Sequence, residues 1–324
     1  MAQPFATINS AQALVFRGAL LCWFQKHQRT LPWRGESDPY RILVSEIMLQ
    51  QTRVAVVEER YKKFIAQFPT VERLARAREQ TVLAAWSGLG YYRRARNLHA
   101  AAKQVAGGNG FPCTAQALQE LPGIGRYTAN AVASIAFGEQ VPVVDGNVKR
   151  VLQRFSGREL GKEQYWQAAG MLLAPESPGD FNQAMMELGA VICVPGNPLC
   201  TVCPVVDLCV SRGAHAQAER AARKKAVIEY SLCLKNRSVL LQRRPQNSSL
   251  MPGMWELPPC KGKGKTVQPL MRLKHSITTT DYSVLVFAGN GRNKGQWVPL
   301  KNTERFALTG LTLKILRKLK GAAS

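Results

Sequence analysis

The chain reads as a mainly α N-terminal region followed by a smaller α+β C-terminal domain, and three observations carry that expectation. Residues 10 to 210 place apolar side chains at helical spacing with almost no period-two alternation. A polar, basic stretch, "RGAHAQAERAARKKA", runs from about 212 to 226. After it come short alternating runs such as "VIEYSLCLK", "SVLLQRR", "YSVLVFAG" and "GQWVPL". At 324 residues and 46% hydrophobic content, the chain is long enough for two cores.

The helical series opens clearly at "DPYRILVSEIMLQQTRVAVVEERYKKFIAQF", where Asp38 is a cap, Pro39 suits a first helical turn, and the length accommodates two helices. "TVERLARAREQTVLAAWSG", "RARNLHAAAKQVAG", "TAQALQELPG", "RYTANAVASIAFG", "NVKRVLQRFSG", "KEQYWQAAGMLLA" and "GDFNQAMMELGAVIC" continue it, each closed by Gly, Pro or a polar cluster. The basic stretch then reads as a linker or an exposed helix. The expected division is therefore residues 1–211, a linker over 212–228, and a domain over 229–324 closed by the basic amphipathic helix "LTLKILRKLK".

Charge points to the partner. Forty-four Lys and Arg against 21 Asp and Glu give a formal net charge of +23, well beyond what solubility needs and suited to a polyanion such as nucleic acid. Residues 261 to 324 alone hold 13 basic side chains and two acids. An anionic membrane surface is the competing partner, but there is no run of 18 apolar residues and no start resembling a signal peptide. A cytoplasmic protein is expected, whose eight cysteines do not form a disulfide framework.

Four of those cysteines are clustered. Cys193, Cys200, Cys203 and Cys209 follow C-x6-C-x2-C-x5-C in a loop broken by prolines and a glycine. Four thiolates on one metal centre is the reading, and spacing alone leaves structural zinc and an iron–sulfur cluster equally open. Cys22, Cys113, Cys233 and Cys260 are scattered and read as small hydrophobes.

In "LPGIGRYTAN" a helix is expected to end at Leu121 and another to begin at Arg126. Gly123 and Gly125 allow left-handed backbone in the turn and leave N–H groups free at a helix N-terminus, which is a phosphate site that reads no base. An ordinary helix–helix turn would look the same in isolation.

"LPGIGRYTA", "VPVVDGNVKR" and the four cysteines together resemble the helix-hairpin-helix DNA glycosylase superfamily of endonuclease III type. "LPWR", "SEIMLQQT", "GLGYYRRARNL" and the C-terminal domain resemble, within it, the MutY family of adenine DNA glycosylases over nearly the whole chain. The resemblance implies a six-helix barrel with an iron–sulfur module, a 4Fe–4S cluster at the four cysteines, and a Nudix-like C-terminal domain. It further implies a monomeric enzyme of the bacterial cytoplasm and nucleoid. Its partner would be double-stranded DNA holding adenine opposite 8-oxoguanine or guanine.

Cleaving an adenine N-glycosidic bond builds positive charge on the sugar and needs a proton on the leaving base, so two carboxyl groups of opposite protonation are useful. Glu46 lies between Val44 and Ile47 on a mostly apolar helix, where burial would keep it protonated and able to donate to adenine N7. Asp145 precedes a helix, whose N–H groups and dipole would favour its ionised form facing the sugar. On the residues alone Glu46 reads equally as a half-exposed helix position and Asp145 as a plain cap; the resemblance makes them the catalytic pair.

Relatives of endonuclease III type carry a lysine 18 residues before the aspartate, which forms a Schiff base and cuts the strand. Here that position is Tyr127, implying a monofunctional glycosylase, with Tyr127 packing near the sugar and Asp145. Lys149, one turn past Asp145, is expected near the site but not catalytic. The resemblance also places Gln51, Thr52, Leu89 and Tyr91 beside the lesion, and Arg29, Leu31, Trp33, Arg34, Val54 and Glu187 around the adenine. Leu31, Trp33, Val54 and Leu89 equally suit a core.

Around "LLQRRPQNSSLMPGMWELP" the Nudix likeness stops short of catalysis, because no glutamate lies between Leu257 and His275. The family's Phe-Ser-His lesion-reading loop falls on Ile277, Thr278 and Thr279, so His275, Ser276 and Thr278 become the candidate donors. Two other functions remain: a glycosylase-lyase for oxidised pyrimidines, and a noncatalytic DNA-binding or electron-carrying iron–sulfur protein.

Overall fold

A computed structural model describes residues 9–108, 110–212, 223–248, 250–260, 267–277, 280–291 and 293–321. The chain forms two compact units. One contains residues 1–65, 70–75 and 100–218, the other 66–69, 76–99 and 219–324.

The chain up to α11 is helical, and the first unit takes most of it. The helices begin with α1 (Ser10–His27), closed at its start by a capping box between Asn9 and Gln12, then α2 (Pro39–Leu49) and α3 (Val54–Gln67). Asp38 caps α2 by accepting from the Tyr40 amide, with Pro39 in the first turn as the sequence implies. The run "TVERLARAREQTVLAAWSG" divides into α4 (Val71–Ala75) and α5 (Glu79–Ala85), followed by α6 (Arg93–Gly107) and α7 (Ala115–Gln119).

Then come α8 (Arg126–Phe137), α9 (Gly146–Ser156), α10 (Lys162–Leu172) and α11 (Pro178–Val191), of which α8, α9 and α11 join α2 and α3 in lining the cleft. Between α7 and α8 only Gly123 uses left-handed backbone, at φ +75°, while Gly125 is an extended N-cap at φ −93°. α7 ends two residues before the expected Leu121, which instead accepts from Ile124 N–H inside the turn. The core of this unit packs Phe16, Leu20 and Phe24 of α1 against Phe155, Phe181 and Leu188.

Two glycines set the approach of α11 to its neighbours. A Cβ on Gly179 would stand 2.7 Å from the Ser134 carbonyl oxygen, and one on Gly189 would stand 2.6 Å from the Asn147 Cβ. α11 therefore lies close against both α8 and α9.

Among its described residues the second unit forms β1 (Lys224–Leu232), β2 (Leu234–Lys235), β3 (Ser238–Arg243), β4 (Trp255–Glu256), β5 (Met271–Ile277), β6 (Thr280–Ala288) and β7 (Gln296–Pro299). One sheet has the order β1-β6-β5, with β1 parallel to β6 and β5 antiparallel to it. The other joins β2, β3 and β4, with β7 on β3. α12 (Gly310–Gly321) buries Leu311, Ile315 and Leu316 against Val284 and Val286.

β1 starts within the basic stretch, because Lys224 and Lys225 pair with Thr280 and Asp281 and Arg223 bonds the Asp281 carboxylate at 2.8 Å. Residues 213–222 of that stretch lie outside the described residues. Residues 76–99 share this unit: the Tyr92 hydroxyl donates to the Leu308 carbonyl at 2.9 Å, and Arg96 donates to the Pro252 carbonyl at 2.6 Å.

Candidate active site

A cleft of about 490 Å³ in the first unit brings together Glu46, Tyr127 and Asp145. Glu46 stands on α2, where every residue from Ile42 to Met48 is buried, and is itself only 5% exposed. Burial pushes its carboxyl up to about 7; the Tyr127 hydrogen bond opposes the rise, the Asp145 charge adds to it, and Arg34 opposes it. Tyr127, in the first turn of α8, donates its hydroxyl to Glu46 Oε2 at 2.5 Å and lies 3.5 Å from Met186 Sδ. Its polar contact is thus with Glu46 rather than with Asp145.

Asp145 is the N-cap of α9 and also lines the cleft, so the two readings of it from sequence coexist. Its Oδ1 accepts from Val148 N–H at 2.7 Å and its Oδ2 from Asn147 Nδ2 at 3.1 Å. Those donors favour the ionised form as expected, but burial outweighs them and the pKa is raised. Asn147 in turn accepts from Arg150 at 2.7 Å, and Arg150 reaches the Cys193 carbonyl at 2.8 Å.

The adenine-pocket candidates Arg29, Leu31, Trp33, Arg34, Val54 and Glu187 all line the same cleft. Leu31 and Trp33 are buried as well, Trp33 edge-on to Tyr61 at 5.4 Å. Glu187 is 2% exposed and takes both prongs of Arg29, Nε at 2.6 Å and Nη2 at 2.9 Å, and Arg34 Nη2 at 3.0 Å. Burial works against its charge, yet these bonds and the two arginine charges hold its carboxyl below the ordinary range.

Gln51 and Thr52 sit at the mouth, Gln51 with left-handed backbone at φ +54°. Seven lining residues escaped the sequence reading: Leu49, Gln50, Gly146, Asn147, Gln183, Met186 and Ala190. Gln183, which Arg34 contacts, and Met186 stand four and one positions before Glu187, so helical spacing on α11 could have found Gln183. Lys149 is exposed and does not line the cleft; its ammonium lies 6.0 Å from the Tyr165 ring centroid.

In the second unit Leu89 is buried, while Tyr91 is 44% exposed with φ +45°. Arg94 underlies that turn. It donates to the Leu89 and Gly90 carbonyls at 3.0 and 3.3 Å and stands 5.5 Å from the ring centroids of both Trp86 and Tyr91. Burial lowers its pKa to about 10. Ser276 spends its hydroxyl on Asp281 at 2.6 Å, and burial and Lys314 lower the pKa of half-buried His275. Thr278 and Thr279 lie outside the described residues.

The four clustered cysteines share one neighbourhood. Burial, and then the charges of Cys193, Cys209 and Cys200, push the Cys203 thiol up to about 11 against one backbone hydrogen bond; burial, Cys193 and Cys209 raise Cys200. Arg154 Nη1 stands 3.3 Å from Cys193 Sγ. Among the described residues no three His, Cys, Asp or Glu side chains are drawn together tightly enough to hold a single metal ion. Four mutually repelling soft donors backed by an arginine nonetheless suit an iron–sulfur group chemically, since bound iron removes the repulsion that holds the protons on. Among the described residues no helix is long and apolar enough to cross a membrane.

Residues 44–174 match the HhH-GPD superfamily base excision DNA repair protein model. Over 219 residues the chain is 47% identical to the adenine DNA glycosylase of Homo sapiens, covering 62% of this chain and 40% of the human protein. It is 32% identical over 343 residues to the adenine DNA glycosylase of Buchnera aphidicola subsp. Baizongia pistaciae, covering 95% of this chain and 97% of that one. Among solved structures, a thermostable thymine-DNA glycosylase superposes with a TM-score of 0.58 at 31% identity, over 62% of this chain and 96% of its own.

Proposed function

Because the chain belongs to the adenine DNA glycosylase family of the HhH-GPD superfamily, we propose that it excises adenine from double-stranded DNA by hydrolysing the N-glycosidic bond, and leaves the strand uncut. The observation that carries this is the carboxyl pair in one cleft: Glu46, buried and raised to about 7, beside Asp145 at a helix N-terminus.

Glu46 serves as the acid. A carboxyl with pKa near 7 holds its proton in a useful fraction of molecules at neutral pH and gives it up readily to adenine N7. Asp145 faces the sugar, and its negative charge offsets the cation that develops as the bond breaks. Tyr127 aims the acid by holding Oε2, leaving Oε1 to the base. The tyrosine offers no amine, so no Schiff base forms at that position and an abasic site is the product.

Glu187, fixed by Arg29 and Arg34, forms the far wall on which the flipped base is read. Cys193, Cys200, Cys203 and Cys209 would hold a 4Fe–4S cluster, which supplies a rigid cross-link to the loop rather than a reacting group. Residues 1–211 would carry excision. The Nudix-like residues 229–324 would read 8-oxoguanine opposite the target, with Tyr91, Gln51 and Thr52 contacting the opened duplex. Such an enzyme works as a monomer on the nucleoid, in the cytoplasm.

The test is an incubation with duplexes holding adenine opposite 8-oxoguanine, adenine opposite guanine, or thymine glycol. Breaks that appear only after alkali, and only in the adenine duplexes, are expected. Breaks before alkali in the thymine glycol duplex would instead mark a glycosylase-lyase.

A further inference from the structure

The chain that delivers Asp145 to the cleft has no strand partner. Val141 to Val144 run extended without secondary structure, with Val143 and Val144 buried, so their backbone polar groups need partners from elsewhere. Two asparagine side chains provide them. Asn182 Oδ1 accepts from Val143 N–H at 3.0 Å, and Asn182 Nδ2 donates to the Val141 carbonyl at 2.9 Å. Asn130 Nδ2 donates to the Pro142 carbonyl at 2.7 Å, and Pro142 has no N–H to satisfy.

We propose that Asn182 is a positioning residue for Asp145: its amide substitutes for a paired strand along Val141–Val143 and so fixes where the Asp145 carboxylate enters the cleft. This role rests on the glycosylase function proposed above.

Three features support it. Asn182 is 2% exposed and its second Nδ2 hydrogen is taken by Ser134 Oγ at 3.0 Å, so the amide is locked and its orientation is forced. A flipped amide would set N–H against N–H and oxygen against carbonyl. Second, Asn182 lies on the same face of α11 as Gly179, Met186 and Gly189, at helical spacing. That face meets α8 through Gly179, Tyr127 through Met186, and Asn147 through Gly189. One helix face therefore sets the position of both sides of the catalytic cleft.

Third, the two restraints on Asp145 are complementary. Downstream, Val148 and Asn147 hold its carboxylate; upstream, Asn182 and Asn130 hold the chain. Replacing Asn182 by the smaller alanine, which offers no hydrogen bond, leaves the downstream bonds and frees the upstream backbone. Asp145 then pivots about its cap, and a misplacement of about 1 Å costs roughly a hundredfold in rate.

The experiment measures single-turnover excision on a duplex with adenine opposite 8-oxoguanine for the wild type, Asn182→Ala, Asn130→Ala and Ser134→Ala. Burst amplitude and amide exchange at Val143 are followed in parallel. Asn182→Ala is expected to lose roughly ten- to a hundredfold in the rate constant while its burst amplitude and duplex affinity hold and the Val143 amide loses protection. Asn130→Ala should fall in the same direction by less, which keeps the test open if Asn182→Ala does not fold. Ser134→Ala, which leaves both backbone contacts in place and removes only the third restraint on the amide, should fall by less than Asn182→Ala.

An Asn182→Ala enzyme within twofold of wild type despite an unprotected Val143 amide overturns the role. So does a loss of burst amplitude with the rate constant unchanged, the mark of a merely structural residue. A wild type inert on every adenine duplex overturns the glycosylase function itself, and this role with it.

Discussion

Tyr127 and Glu46, 81 positions apart in the chain, meet through a hydrogen bond of 2.5 Å that ties the first turn of α8 to the buried helix α2. The phenol donates, so it stabilises the ionised carboxylate and restrains the rise that burial imposes. Removing it in Tyr127→Phe raises the Glu46 pKa. Because the protonated acid is the active form, the alkaline limb of the excision profile should move to higher pH, while the plateau rate falls as the acid loses its aim. Single-turnover rates across pH 5 to 9 check this; an alkaline limb that stays put or moves down contradicts it.

The same carboxyl makes stability depend on pH. Its folded pKa of about 7 lies above the ordinary 4.5, so its contribution is present below 4.5 and is lost as pH rises through 7. The loss is on the order of 3 kcal/mol. Glu46→Gln carries no such term and should gain on the wild type by roughly that amount between pH 4.5 and 8. Denaturant unfolding of both proteins at the two pH values measures it, and parallel behaviour would contradict it.

Arg94 should matter to DNA binding without touching the chemistry. Its two bonds to the Leu89 and Gly90 carbonyls, and its place beneath the Tyr91 ring, hold an exposed tyrosine in left-handed backbone. Hydrogen bonds from a charged donor contribute about 1.5–3 kcal/mol each. Arg94→Met is expected to weaken affinity for the 8-oxoguanine duplex about tenfold, with the excision rate of bound substrate unchanged. Fluorescence anisotropy titration beside single-turnover rates separates the two, and a slowed bound-state rate would contradict the assignment.

Cys203→Ser should lose iron and its brown absorbance, and then affinity for DNA, by releasing the loop that Arg154 fastens at Cys193 and Val194. Iron analysis of the purified variant decides it; full iron content would remove Cys203 from the ligand set.

Much of this site was legible because local rules and tertiary structure agreed. Asp38 and Pro39 start α2 where the sequence places them, and the apolar neighbours of Glu46 announced its burial. What stayed hidden depends on long-range packing. Helix-terminal donors argued for an ionised Asp145, but its burial comes from the elements that enclose the cleft, which no local pattern reports. Residues 76–99 read as one more stretch of helix, although Tyr92 and Arg96 bond to Leu308 and Pro252 more than 150 positions away. Nothing in the sequence singles out Asn182, and only its partners, some 40 residues upstream, show what it holds. β1 entered the basic stretch because Lys224 and Lys225 pair with Thr280 and Asp281, and the Arg223 side chain bonds the Asp281 carboxylate.

The most direct test of the carboxyl pair is Asp145→Asn, in single turnover on a duplex with adenine opposite 8-oxoguanine and with alkali added to reveal abasic sites. The side chain keeps an oxygen that can accept from Val148 N–H, so the cap and the fold should persist. The charge facing the sugar is gone. We expect excision to fall at least a hundredfold, the scale of losing one electrostatic stabiliser of the transition state, roughly 2.7–4 kcal/mol, while duplex affinity stays within about threefold of wild type. An Asp145→Asn enzyme that excises adenine at the wild-type rate would contradict the assignment of Asp145, and with it the catalytic pair.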